Sequence, residues 1–224
     1  MTTHSHPAGR LATALLAPVL ALGLVGASTS TASAADSTPI TRANTSLATA
    51  KAEFQAHHPG RAVAALRRLR VQVGQAHVAA ASLIGKPPTD PESDDLPGPP
   101  AVLAVLALEH RVTMGVVPLH DGRVGAGVVD ELRRVLVSTH HRRDAILARI
   151  IALPPEGDGA DYADGMADRL GQFPAEVTLL TNGLSTYHLT AAARTGLTNG
   201  LARVQATQAT VEAAYGGGER RLPH

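Results

Sequence analysis

Apolar residues return at steps of three and four through most of residues 45–215, the spacing that lines one side of an α-helix. The clearest case is 61–84, where Ala62, Leu66, Leu69, Val73, Ala76, Ala80 and Leu83 form one stripe. Arg67, Arg68 and Arg70 flank that stripe, and Gly85 followed by Lys86-Pro87-Pro88 stops the helix. Upstream, Leu47, Ala50, Phe54 and His57 or His58 share a face over 45–58, with Asn44 or Thr45 as the cap. The intervening His57-His58-Pro59-Gly60 breaks the run, because proline cannot continue the hydrogen-bond ladder and glycine loosens the backbone.

Segment 101–117 is apolar nearly all round as far as Leu108, which predicts a helix buried in the middle of the fold; a strand over 112–117 is the alternative. A helix over 128–153 carries Val128, Leu132, Val135, Thr139, Ile146, Ile150 and Leu153 on one side. Arg142 or Arg143 must then sit at its seam and send its head out to solvent or to an acid. A further helix over 174–193 starts with Pro174 in its first turn and Glu176 at the positive end of the dipole. The last, over 197–215, follows a turn at Gly196 and aligns Leu201, Val204, Gln208, Val211 and Tyr215, with Gln208 a polar intrusion. The links 86–100 and 154–165 are rich in proline, glycine and acid, the second with room for a short helix to Leu170, and 216–224 reads as a disordered tail. Strand and helix patterns do not alternate. The pattern predicts an all-α fold, a single domain over 45–215 built as an antiparallel helical bundle of about four long helices plus one or two short ones.

The N-terminus changes where this domain is expected to work. Arg10 precedes the uncharged run 11–26, and Ala32-Ser33-Ala34 supplies the small-residue site of a secretory signal peptide. Residues 1–35 are read as that signal, with 36–44 a flexible leader; retention of 1–35 as a membrane anchor is the alternative. No later run is long and uncharged enough to predict a transmembrane segment in the mature chain. The expected address is secreted or extracytoplasmic, and the Ala/Val/Leu-rich helices with Gly/Pro loops fit a bacterial source.

Loss of Arg10 leaves 19 basic against 19 acidic side chains, a balance that exerts no long-range pull on nucleic acid. Cysteine is absent, which removes disulfides, thiol chemistry and thiolate-bound zinc or haem. Beyond the leader the aromatic residues are Phe54, Phe173, Tyr162, Tyr187 and Tyr215, too few for a base-stacking surface.

Candidate chemistry is sparse. A carboxylate-bridged di-metal site in a four-helix bundle needs Glu-x-x-His, whose three-residue step puts both ligands on one inward face, and this chain has none. It has Glu53-x-x-x-His57, His140-x-x-x-Asp144 and the adjacent Glu109 and His110, which point about 100° apart around a helix. His77, Glu109, His110, His140 and His188 are the residues that would serve a metal or tetrapyrrole, with His77, His188 or Tyr187 as axial ligand. A hydrolase is the third reading. However, Gly-x-Ser-x-Gly is missing, and Ser138 near His140 lacks the placement of a nucleophile beside its base. Asp161, Asp164 and Asp168 fit a wet helix start as well as a sugar cleft. No catalytic residue and no cofactor is assigned. The strongest charge feature is Arg61, Arg67, Arg68 and Arg70, a contact patch for a cell-envelope component or another protein. The expectation is a non-enzymatic secreted interaction domain, with the metal- or tetrapyrrole-binding bundle and the secreted hydrolase as alternatives.

Overall fold

The computed structural model describes residues 37–88, 96–122, 124–154 and 157–216. The signal peptide expected over 1–35, the acidic stretch 90–95 and the tail from 217 lie outside the described residues. Among those described there are six α-helices and no strand: α1 (Ser37–Gln55), α2 (Pro59–Ala81), α3 (Gly98–Val116), α4 (Ala126–Ile151), α5 (Ala163–Thr186) and α6 (Ala191–Tyr215), with short 3-10 turns at Val117–His120 and Gly157–Tyr162. The fold is the all-α antiparallel bundle that the periodicity predicts. Residues 112–117, where a strand was the alternative, are helical.

Helices α1 and α2 form one hairpin, α5 and α6 another, and α4 joins them by packing on α2 and α6. Helix α3 touches α1, α2, α4 and α5 and is the hub of the bundle, as its all-round apolar surface requires. With the turn that follows, Gly98–His120 is long and apolar enough to cross a membrane by length and composition. In this fold Val102, Val105, Leu106, Leu108, Val112 and Val116 of that segment are core. The stripe predicted on α2 is buried from Ala62 to Ala80, and that on α4 from Val128 to Ile150.

Several boundaries differ from expectation. Helix α1 starts at Ser37, so the stretch 37–44 expected as a flexible leader is helical. The reason is packing: Ala43 extends the Leu47 and Ala50 stripe and is fully buried, which outweighs the poor helix propensity of the threonines. At its other end, His57 has φ +58°. The His58 N–H donates to Glu53 O and the His57 N–H to Phe54 O, a Schellman stop with histidine where glycine is usual. Pro59 then opens α2 in the first turn.

The largest correction concerns α5. Pro174, expected in a first turn, lies inside this helix, which begins at Ala163. Its ring is exposed, so the carbonyl it leaves without a helical donor is on the side that water can reach. Glu176 is therefore mid-helix and buried, away from any helix end. Helix α6 in turn starts at Ala191, where Thr190 accepts the Ala193 N–H at 3.2 Å as N-cap. Gly196, expected in a turn, is buried within α6, and a Cβ there would stand 3.3 Å from Arg133 Cγ. It lets α6 approach α4.

Candidate functional site

Two polar constellations stand out, one sealed in the bundle and one on its surface. The sealed one centres on Glu176 of α5. Its Oε2 accepts from Arg143 Nη1 at 2.9 Å, and its Oε1 accepts from Arg169 Nη2 at 2.8 Å and faces His110 Nδ1 at 2.8 Å. Four helical turns from α3, α4 and α5 thus meet at one carboxylate. Phe173, one turn before Glu176, lies against both guanidiniums, at 5.4 Å from Arg143 and 4.6 Å from Arg169. Burial alone would raise the Glu176 pKa, but the His110 hydrogen bond and the Arg169 and Arg143 charges outweigh it and hold the group down to about 2.

Around this centre the network continues. Glu109 of α3 faces His77 of α2 at 3.3 Å, and burial raises its pKa against the opposing pull of His77, Arg143 and Arg169. His140 is deep in α4, where burial and the nearby Arg143 lower its pKa to about 3, so it is a neutral imidazole. The Thr113 hydroxyl donates to the Glu109 carbonyl at 3.1 Å and stands 3.3 Å from His140 Nε2. Thr113 is fully buried, so this threonine–histidine pair has no access to a substrate.

The five residues proposed for a metal or tetrapyrrole do not converge. Glu109 and His110 do both serve the interior, one toward α2 and the other toward α5, because the hub position of α3 gives it buried neighbours on several sides. His140 sits beside Thr113. His188 projects into solvent, with its ring 3.7 Å from Asp121. Among the described residues no group of three His, Asp or Glu side chains could hold a metal ion. The Glu53 carboxylate pairs with His58 at 2.9 Å, and not with His57 four residues on.

On the surface, the arginines of α2 meet α4. Glu131 of α4 is buried, and three guanidiniums converge on it: Arg70 Nε at 3.0 Å, Arg134 Nη1 at 3.3 Å and Arg67 Nε at 3.5 Å. Arg61 and Arg68 are exposed and form no ion pair with a described residue. Arg142 lies along α2 over Gly74, and its Nη1 donates to the Arg70 carbonyl at 3.3 Å. Beside this cluster a groove of about 560 Å³ runs between α2, α4 and α6 and is lined by Arg70, Arg133, Arg134, Ser138, His141 and Asn199. Arg203 of α6 lies against the His141 ring, 2.8 Å from each ring nitrogen, and also pairs with Asp144.

Glu131, Arg169 and the groove have no counterpart among the sequence-based expectations, and Glu176, expected at a helix start, is instead the centre of the sealed network. Arg143 was placed at the α4 seam, but its acid is inside the bundle. Comparison of the chain with family models, with curated proteins and with solved structures finds no match.

Proposed function

We propose that the chain is a secreted, non-enzymatic helical-bundle domain that contacts an anionic component of the cell envelope through the arginine face of α2 and α4. The observation that carries this reading is the convergence of Arg67, Arg70 and Arg134 on the single buried carboxylate of Glu131. One negative charge offsets only one of the three guanidiniums, and the remaining positive charge faces solvent. Anchoring each guanidinium to Glu131 also reduces the side-chain freedom lost when an anion binds. The even overall charge fits a local contact surface better than a protein drawn to any polyanion.

The test removes charge from the converging guanidiniums while sparing one partner of Glu131. Arg67→Gln with Arg134→Gln keeps the Arg70–Glu131 pair at 3.0 Å, so the double variant should still fold. It should sediment with isolated envelope material at least about tenfold less than the parent, with the difference shrinking as salt rises. Equal sedimentation of variant and parent at low salt would remove the arginine face from the account.

A further inference from the structure

We infer that the groove between α2, α4 and α6 binds a linear polyol–phosphate chain, a polymer whose repeating phosphodiester brings one negative charge. This rests on the reading of the arginine face as an anion-contacting surface and names the ligand class and the place where it lies.

Charge comes first. Arg70 and Arg134 line the groove while each is held by Glu131, and Arg133 adds a third, half-exposed guanidinium, 4.0 Å from the Asp130 carboxylate. Arg70 spends its Nε on Glu131, and Arg134 one Nη, so both keep N–H groups for a second oxyanion. A planar fork already fixed at one edge is a preorganised receptor for phosphate or carboxylate.

The remaining lining selects between those two. Arg70, Arg133 and Arg134 only donate, while Ser138 and Asn199 add hydroxyl and amide groups. Among the described residues no carboxylate lines the groove. An acidic peptide lying here would bring a backbone N–H at every residue and meet few acceptors, and unmet donors are costly to bury. A phosphodiester chain brings acceptors at each repeat and no backbone donor. Among the described residues the lining contains no tyrosine, phenylalanine or tryptophan, so the bases of a single-stranded nucleic acid would find no ring there to stack on.

Shape supports a chain as well. Arg133, Val137 and His141 are successive turns of one α4 face, a span of about 12 Å. That accommodates more than one anionic group in succession. The Arg133 stem packs on Gly196 of the α6 wall, and Val137, which is 42% exposed, offers a small apolar strip to the methylene carbons between phosphates.

The experiment is anisotropy of a labelled glycerol-phosphate oligomer titrated with the full chain, with Asn199→Glu and Arg133→Glu as groove variants. Both positions are exposed, so melting temperatures should stay at the parent value. Binding should fall about tenfold or more in each variant, and the parent's affinity should fall with rising salt. Unchanged binding by both variants overturns the groove. Equal or tighter binding of poly-glutamate, oligothymidylate or phosphatidylglycerol vesicles overturns the ligand class. If the parent sediments with envelope material yet ignores the oligomer, this inference falls and the proposed function stands. If it binds neither, both fall.

Discussion

Arg143 Nη1 donates to Glu176 Oε2 across 2.9 Å in the middle of the bundle, where the two side chains are closed to solvent and 33 residues apart in the chain. The pair joins α4 to α5, and the other partners of Glu176 extend the link to α3 through His110. The Thr207 hydroxyl of α6 lies 3.5 Å from Arg143 Nη2 and donates to Asp144 Oδ1 at 2.8 Å, which brings in the fourth helix. Desolvating such groups is expensive, so the arrangement does more to define which register the helices adopt than to add net stability.

Removal of the central carboxylate should therefore be severe. Glu176→Gln leaves Arg169 without its counter-charge and Arg143 with only Asp144, 3.6 Å from its Nε, and is expected to cost about 3–5 kcal/mol in urea unfolding. Replacing the three together, Glu176→Leu with Arg143→Met and Arg169→Met, should cost less than the single change, because no unpaired charge remains buried. A triple variant less stable than Glu176→Gln would show that the ion cluster itself supplies the stability.

Acid stability follows from the same groups. Glu176, held at about 2 when folded, is ionised in the native state while the unfolded group takes up a proton near its ordinary value of 4.5. Its contribution is full above that value and is lost as pH falls toward 2. His140, neutral when folded down to about 3, behaves likewise over a higher window: the unfolded imidazole protonates below 6.5, and stability drains between 6.5 and 3. Glu109 opposes both, since its raised folded value means that ionisation at rising pH costs stability above 4.5. Unfolding free energy should thus fall on acidification from pH 6.5, and His140→Asn should flatten that slope between pH 6.5 and 3. An unchanged slope in this variant would remove His140 as the source.

Two glycines of α5 should respond in opposite directions. A Cβ on Gly165 would overlap both methyl groups of Leu103 and stand 2.9 Å from its Cγ, so Gly165→Ala must push Leu103 of α3 aside. A cost of about 1–3 kcal/mol is expected. Gly171 has open space at the same position, and Gly171→Ala should stabilise by about 0.5–1 kcal/mol through helix propensity alone. Thermal melts of the two variants give the comparison directly.

The turn between α1 and α2 holds a third opportunity. His57 adopts φ +58°, a left-handed conformation that a Cβ disfavours, and its side chain is exposed. His57→Gly should raise stability by about 1 kcal/mol, seen as a higher urea midpoint with an unchanged slope. A lower midpoint would mean that the imidazole itself stabilises the turn.

Arg70→Glu provides the counterpart to the surface variants. It sets a second carboxylate against buried Glu131 and should destabilise by about 1–3 kcal/mol, whereas Arg68→Glu should change little. Equal melting of the two variants would mean that Glu131 does not need Arg70.

Periodicity alone was enough for the class of fold, for the buried faces of α2 and α4 and for the central place of α3. Each depends on the sorting of apolar side chains away from water, which is written locally at steps of three and four. The cap at Thr190 was also a local feature, yet it was passed over for a turn placed at Gly196, and a helix start was placed at Pro174, inside what is α5. Proline is tolerated where its freed carbonyl reaches water, and glycine where a neighbouring helix needs the space, and both conditions belong to the packed state.

The buried charges were beyond local reading altogether. Glu176 stands 66 residues from His110, and Glu131 stands 61 from Arg70, so nothing in either neighbourhood marks the carboxylate as an interior group. A charged residue on a helix reads as its wet edge until another helix covers it. Which helices cover which edges is set by the sum of many weak apolar contacts along whole faces, and that sum is decided only when the chain packs.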